Sequence, residues 1–166
     1  STAFAAKQIT AGVGCTLVID TDDAIWITGR LCQVVPPSTT FTRVQFPDTP
    51  GLPPLRFSQV ACTYAHALAL TTDGGLFSWG WGGKGQLGHG STENIDVPRL
   101  VTALKDVPIA SAAAGYRTSL VLARSGEGEG VLISNRNLDE AQRREAWVVR
   151  ELNTGERRRC GSGVAH

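Results

Sequence analysis

The chain has 166 residues, of which 42% are hydrophobic, enough for one ordinary domain with a core. Its formal net charge of +1 argues against a strongly basic nucleic-acid surface and against an acidic tail, and no apolar run is long enough to cross a membrane. The 19 glycines and the low charged fraction of 19% favour β structure with many turns.

The cysteines indicate where the protein works. The four of them form no C-x-x-C pair, and the first ten residues have no secretory signal. We therefore expect reduced thiols and an intracellular protein, cytoplasmic or nuclear, with an organellar location left open. Methionine is absent and the chain begins at Ser1, so we expect it to be a piece of a longer protein.

The first 56 residues contain four stretches of strand character. Period-two alternation of apolar and polar residues is typical of half-buried strands. A bend at Gly12 separates the first two stretches, and Asp22 with Asp23 supplies the next turn. The predicted strands are residues 9–11, 16–19, 24–28 and 41–46.

The same pattern returns about 51 residues later without gaps. Leu17 falls on Leu68 and Asp22 falls on Asp73, where an Asp-Gly turn with Gly74 is a strong hairpin signal. The predicted strands of this second copy are residues 60–62, 67–70, 75–79 and 98–104.

A third copy follows at an offset of about 52 residues, with Gly115 matching Gly12, and a fourth begins at Gly163 and His166. The third copy predicts strands at residues 109–113, 119–122, 131–134 and 146–152. We divide the chain into a degenerate repeat with a Pro-rich loop, the best-matching repeat, a degenerate repeat with a charged insertion, and the start of a fourth. These are residues 1–56, 57–107, 108–154 and 155–166.

Four short antiparallel strands every 50 residues or so are typical of one blade of a β-propeller. A single blade cannot bury both of its faces, so blades must stack. The predicted fold is therefore all-β, a propeller built from four-stranded antiparallel blades.

The best copy, residues 66–90, closely resembles the regulator of chromosome condensation repeat. Cys15 and Thr118 stand where that pattern has His in the weaker copies, and Thr63 stands where it has Gly. The resemblance implies a propeller of seven blades, roughly 350 residues, of which this chain supplies about three. The residues that match its structural motif are Gly12, His66, Asp73, Gly74, Trp79, Gly80, Gly85, Gln86, Leu87, Gly88, Gly90, Gly115, Gly163 and His166.

Residues 83–88 also fit G-x-G-x-x-G, the pattern of a dinucleotide-binding loop. Such a loop needs a helix at its end, but the following residues have no apolar helical stripe and run into Pro98. We therefore expect no nucleotide cofactor. The glycines instead permit positive φ and close backbone packing, and the resemblance gives Gln86 the role of satisfying backbone groups and Leu87 that of filling space between sheets.

The histidines His66, His89 and His166 lack the paired spacing of metal ligands, even with Cys62 or Cys160 added. We expect no metal site, and a hydrogen bond from the repeat histidine to the backbone. No nucleophile elbow such as G-x-S-x-G stands out, so we predict that this chain is not an enzyme.

Three residues are candidates for partner contact: Trp81, Arg143 and Arg144. The arginines lie in the charged insertion at residues 137–145, which reads equally as a short capped helix or as a loop. The Pro-rich segment at residues 32–54 is a second variable place, and the basic cluster at 156–160 indicates a solvated loop between blades, with contact to phosphate or an acidic partner as the alternative.

Fold alone does not give function. A non-catalytic propeller that binds proteins through its loops is the leading hypothesis, as a scaffold, an adaptor or a regulator of a small GTPase. The partners are then a small GTPase or the subunits of a larger assembly. The alternatives are a regulatory domain of a larger enzyme, such as a ubiquitin ligase or kinase, and chromatin binding, which the near-neutral charge argues against.

Overall fold

The computed structural model describes residues 5–32, 35–47, 53–125, 128–134, 148–151 and 157–159, and side chains as far as residue 123. These residues form three antiparallel sheets in which consecutive strands are neighbours. The predicted all-β fold of four-stranded antiparallel blades is confirmed, and the third sheet gains a fifth strand. The first sheet contains β1 (Ala6–Ala11), β2 (Cys15–Asp20), β3 (Ile25–Gly29) and β4 (Ser38–Arg43).

The second sheet follows the same order. It consists of β5 (Phe57–Cys62), β6 (His66–Thr71), β7 (Leu76–Gly80) and β8 (Ile95–Leu100), followed by a 3-10 turn at Thr102–Leu104. The third sheet consists of β9 (Ile109–Ala114), β10 (Ser119–Ser125), β11 (Gly128–Ser134), β12 (Val148–Glu151) and β13 (Arg157–Arg159).

The sheets stack because the middle strands have two apolar faces. In β6 every residue is buried, as expected for a strand covered on both sides. Ala67 and Ala69 join the cluster shared with the first sheet, whereas Leu68 and Leu70 join the cluster shared with the third. β5 packs against β1 and β2, and β9 packs against β5 and β6, so the first strands of the three sheets are neighbours.

Two predicted boundaries are wrong by several residues in the same direction. The fourth strands were expected at 41–46 and 98–104, but β4 and β8 begin three residues earlier. In β8, Pro98 lies within the strand instead of at its start. This is possible because β8 is the outermost strand of its sheet and needs ladder hydrogen bonds on one side only.

The basic cluster at residues 156–160 was expected to be a loop, and here the prediction is wrong. Arg157–Arg159 forms β13, which pairs antiparallel with β12 in the third sheet. Backbone pairing along the open edge of β12 outweighs the polar composition that favoured a loop. The predicted contact residues Arg143 and Arg144, the motif residues Gly163 and His166, and the 137–145 insertion lie outside the described residues.

Candidate protein-interaction face

Two opposite ends of the stacked sheets differ in their loops. One end, which we call the long-loop face, holds residues 12–14, 30–32, 63–65, 81–94 and 115–118. The other end, the turn face, holds the tight turns at 21–24 and 72–75 and the links between sheets. The long-loop face includes the predicted contact residue Trp81. It also includes residues 83–88, which we call the glycine-rich segment.

The glycine-rich segment is tied between the second and third sheets by a relay of polar groups. The Ser119 hydroxyl donates to the Gln86 carbonyl at 2.7 Å and lies 2.8 Å from Nε2 of His66. A hydroxyl has one hydrogen, so Nε2 of His66 must be the nitrogen that donates to Ser119. The expected partner of His66 was backbone; its partner is instead a serine of the next sheet, which itself reaches the backbone.

Burial keeps His66 neutral. Its side chain is fully buried, and this burial lowers the pKa of His66 to about 4. Its Nδ1 atom has no hydrogen-bond partner among the described residues, so a proton added there would be a buried donor without an acceptor. His66 is therefore suited to a fixed structural bond and not to proton transfer near neutral pH.

A second serine fixes the next carbonyl of the same segment. The Ser78 hydroxyl donates to the Leu87 carbonyl at 2.7 Å and lies 2.9 Å from Nε2 of His89. The Leu87 side chain is buried in the cluster between the first and second sheets, and Oε1 of Gln86 accepts from the Lys84 amide at 2.9 Å. Two successive backbone carbonyls thus each accept a hydrogen bond from a serine, and each serine hydroxyl also contacts a histidine.

This arrangement explains the glycines without a nucleotide. β7 leads into the loop at residues 81–94 and then directly into β8, so no helix follows to face a phosphate. Positive φ angles occur instead, and a Cβ at Gly80 would lie 2.6 Å from the Ala65 carbonyl oxygen. The motif glycines with positive φ are Gly74, Gly80, Gly85, Gly88 and Gly90.

The corresponding interface between the first and second sheets has two cysteine side chains where the next interface has a histidine and a serine. Cys15 occupies the position equivalent to His66, and its thiol points at the Cys62 sulfur 3.9 Å away. This hydrogen bond and burial both raise the pKa of the Cys15 thiol, so it stays protonated. A Cβ at Gly12 would lie 2.4 Å from the Thr63 carbonyl oxygen, which shows how closely the two loops meet.

Glutamines of the first strands also connect the sheets, and the sequence analysis missed them. The Gln8 side chain accepts from the Val60 amide at 3.1 Å and donates to the Val60 carbonyl at 3.3 Å. Gln59, its repeat equivalent, accepts from the Ala112 amide at 2.9 Å. The signal was present in the sequence, because Gln8 and Gln59 are one repeat length of 51 residues apart.

An aromatic cleft opens on the long-loop face, and it contains Trp81. Tyr64 and Tyr116, at equivalent repeat positions, are 46% and 63% exposed, with ring centroids 6.3 Å apart and planes inclined at 26°. The guanidinium of Arg117 lies 5.1 Å from the centroid of the Tyr116 ring. The cleft has a volume of about 410 Å³ and is lined by Cys32, Tyr64, Trp81, Asn94, Tyr116 and Arg117.

The cleft walls are anchored to the sheets. The Trp81 amide donates to the Ala65 carbonyl at 2.8 Å, and Oδ1 of Asn94 accepts from the Gly82 amide at 2.9 Å. The Trp81 ring lies against Gly83, where a Cβ would come within 2.6 Å of it. The glycine-rich segment thus holds Trp81 half-buried at the edge of the cleft.

Metal binding and membrane spanning find no support among the described residues. Nowhere in the ranges that the structure describes do three metal-ligating side chains come together, and His66 and His89 are each engaged with a serine. None of the helical segments in the described part of the chain has the length and hydrophobicity of a membrane span.

Stacked four-stranded meanders, joined by side chains at repeat spacing, define this chain as part of a β-propeller. The sequence pattern described as the regulator of chromosome condensation (RCC1) repeat matches residues 73–122, and a second pattern of the same description matches residues 57–86. Residues 57–122 of the chain therefore carry the repeat that defines this family.

Relatives match parts of the chain. Human Protein RCC2 is 48% identical over 62 residues, human E3 ubiquitin-protein ligase HERC2 is 53% identical over 62 residues, and human RCC1 domain-containing protein 1 is 38% identical over 112 residues. These alignments cover 37%, 37% and 63% of this chain, and only 12%, 1% and 30% of the respective relatives. The chain therefore spans less than a third of each of these proteins.

Solved structures support the same fold. Human WBSCR16 superposes with a TM-score of 0.67 at 23% identity, over 81% of this chain and 34% of that protein. Saccharomyces cerevisiae Prp20p, described with its binding to Gsp1p and histones, superposes with a TM-score of 0.63 at 19% identity, over 78% of this chain and 33% of that protein. At these identities the likeness concerns the fold alone.

Proposed function

We propose that this chain is part of a non-catalytic propeller that binds protein partners through its long-loop face and regulates them. The observation that carries the proposal is the aromatic cleft. Tyr64 and Tyr116 are large, exposed and at equivalent positions, and Arg117 lies beside them. Aromatic residues and arginine are the side chains most enriched in binding hot spots.

The sheet interior supports a scaffold role over a catalytic one. The buried side chains of His66 and Ser119 hold the Gln86 carbonyl, and with it the glycine-rich segment, between sheets. The chemistry they offer is used for structure, and the exposed loops are left for recognition. An intracellular setting is part of the proposal, with the compartment depending on the partner.

Within this class of interaction propellers, regulation of a small GTPase is the first specific function that we consider. Its support is the fold shared with Prp20p, which is described as binding Gsp1p, a small GTPase. A regulatory domain of a larger enzyme is the second candidate, because residues of this chain align at 53% identity with an E3 ubiquitin-protein ligase. Chromatin binding is the third, from the histone binding of Prp20p.

The test is affinity capture with face variants. Serine at both Tyr64 and Tyr116 removes the exposed rings, and Val97→Ser, at a 59% exposed site on β8, is the matched apolar control. We expect the double variant to lose specific protein partners, as measured by quantitative mass spectrometry, and the control to keep them. Equal recovery by all three proteins contradicts the proposal.

A nucleotide-release assay separates the finer candidates. Purified small GTPases are loaded with a fluorescent GDP analogue and mixed with the protein. Accelerated release that the double variant abolishes supports the GTPase reading. Specific capture without any accelerated release leaves the interaction propeller in place and removes the exchange activity from it.

A further inference from the structure

The chemistry of the aromatic cleft limits the kind of partner that fits it. We propose that the cleft binds an acidic segment of a partner protein, with one carboxylate at Arg117 and a neighbouring apolar or aromatic side chain against Tyr64, Trp81 and Tyr116. This inference rests on the proposed function, since it names the partner chemistry for the same face.

Charge complementarity is the first argument. Arg117 is exposed. The ion pairs among the described residues join Asp23 to Lys7 and to Arg56, so no described carboxylate oxygen lies within 4.0 Å of Arg117. The described loops of the long-loop face contain three basic side chains, Arg30, Lys84 and Arg117, and one acidic side chain, Glu93. A planar guanidinium is the side chain best suited to a carboxylate.

The opposite face has the reverse balance. The described turns and links of the turn face contain the acidic residues Asp22, Asp23, Asp73 and Asp106 and the basic residues Arg56 and Lys105, and Lys7 of β1 also pairs with Asp23. An acidic segment is therefore favoured at the long-loop face over the turn face. This polarity orients the partner before contact is made.

Preorganisation is the second argument. The Arg117 guanidinium rests over the Tyr116 ring, so part of its side-chain entropy is already lost before binding. Asn94 and Trp81 are tied to the loop backbone and hold the cleft open. A cavity of about 410 Å³ lies within the usual range of ligand-binding clefts and suits side chains of an extended segment.

The ring geometry favours a peptide over single-stranded nucleic acid. Stacking platforms need a free aromatic face for each base. The Tyr64 and Tyr116 centroids are 6.3 Å apart, already within the contact range of an aromatic pair, so no base fits between them. The Arg117 guanidinium also lies 5.1 Å from the Tyr116 centroid and limits access to that ring.

The test selects ligands from a phage-displayed library of random dodecapeptides, with the protein as bait. Selected peptides are synthesised with fluorescein and titrated by anisotropy. We expect them to carry Asp or Glu next to an aromatic or branched aliphatic residue. Arg117→Gln should weaken binding about tenfold, the loss expected for one charge-assisted hydrogen bond.

The matched control is Arg56→Gln, which removes an exposed arginine from the turn face and should change the dissociation constant by less than about twofold. Thermal melting of both variants verifies folding. Selected peptides without acidic residues, equal binding by Arg117→Gln and the unchanged protein, or tighter binding of a short oligothymidylate each overturn the inference. Partner capture through Tyr64 and Tyr116 without selection of acidic peptides overturns it too, but leaves the proposed function standing.

Discussion

At the interface between the first and second sheets, Cys15 lies against Cys62, whereas the next interface has the His66–Ser119 pair at the corresponding place. Phe46 packs against Phe57 at a centroid distance of 4.2 Å and edge-on against Trp79 at 5.9 Å in the first interface. The second interface is aliphatic, with small residues such as Ala112 and Val121.

The backbone around these two positions is nevertheless alike. Gly29 and Gly80 are repeat equivalents with positive φ, and each lies against the backbone of the residue that begins the second strand of its own sheet. Gln8 and Gln59 likewise bridge to the next sheet at matching places. The comparison teaches that backbone geometry defines the stack, while the buried side chains at the His66 position vary with what the neighbouring sheet offers.

The largest expected effect tests the close backbone approach that Gly29 and Gly80 share. Gly29→Ala and Gly80→Ala each place a Cβ within 2.2 and 2.6 Å of a backbone oxygen, respectively, at a positive φ. We expect each to lower the free energy of unfolding by about 3 kcal/mol or more, from backbone strain plus overpacking. Urea denaturation measures the loss.

Gly85→Ala is the control for that pair. Its φ is also positive, at 74°, but a Cβ there would meet nothing within 4 Å. We expect a loss of about 1 kcal/mol from conformational strain alone. A Gly29 or Gly80 variant that is no worse than the Gly85 variant contradicts the close-approach argument.

The second effect separates the two interfaces by pH. The folded pKa of His66, about 4, lies below its ordinary value of 6.5, so between these values the unfolded chain binds a proton that the folded chain does not. The stability from neutral His66 is therefore complete above about pH 6.5 and is lost as the pH falls towards 4. We expect a decrease of up to about 3 kcal/mol in the free energy of unfolding over this range.

His66→Gln supplies the comparison, because its amide keeps a donor for Ser119 but does not titrate. Burial lowers the pKa of His89 as well, so His89→Gln isolates that second contribution. Denaturation at a series of pH values should give a flatter profile for His66→Gln than for the unchanged protein. Parallel profiles would show that His66 is not the titrating group.

The sequence predicted the repeats and most strands because turn residues and two-residue alternation are local signals. The Asp-Gly turn at 73–74 and the position of β6 needed no knowledge of neighbours. The strand was expected to be half-buried, and its complete burial depends on the sheets on either side. The Ser119 partner of His66 is 53 residues away, and its hydroxyl looks like any strand residue in the sequence. The same limit applies to the aromatic cleft, since Tyr64 and Tyr116 occupy bends where exposure depends on how the loops of three sheets converge.

The third effect concerns the bridging glutamines. Gln8→Ala removes two hydrogen bonds to Val60, and Gln59→Ala removes one described bond to the Ala112 amide. We expect losses of about 2 and about 1 kcal/mol, respectively. Amide hydrogen exchange gives the specific readout: Gln8→Ala should expose the Val60 amide and leave Ala112 protected, and Gln59→Ala should do the reverse.

The smallest effect compares equivalent turns on the turn face. Gly74 has φ 94°, and Asp23, its repeat equivalent, keeps a positive φ of 63° while pairing with Lys7 and Arg56. We expect Gly74→Ala to cost about 1 kcal/mol in the free energy of unfolding, because a Cβ is disfavoured there and gains no contact.

Asp23→Gly relieves the same strain but removes the pairing with Lys7, which lowers the pKa of Asp23, so these effects oppose each other. Urea denaturation in low and high salt distinguishes them: added salt should destabilise the unchanged protein slightly and leave Asp23→Gly unaffected. A salt response that survives in Asp23→Gly would show that the ion pairs do not offset the strained turn.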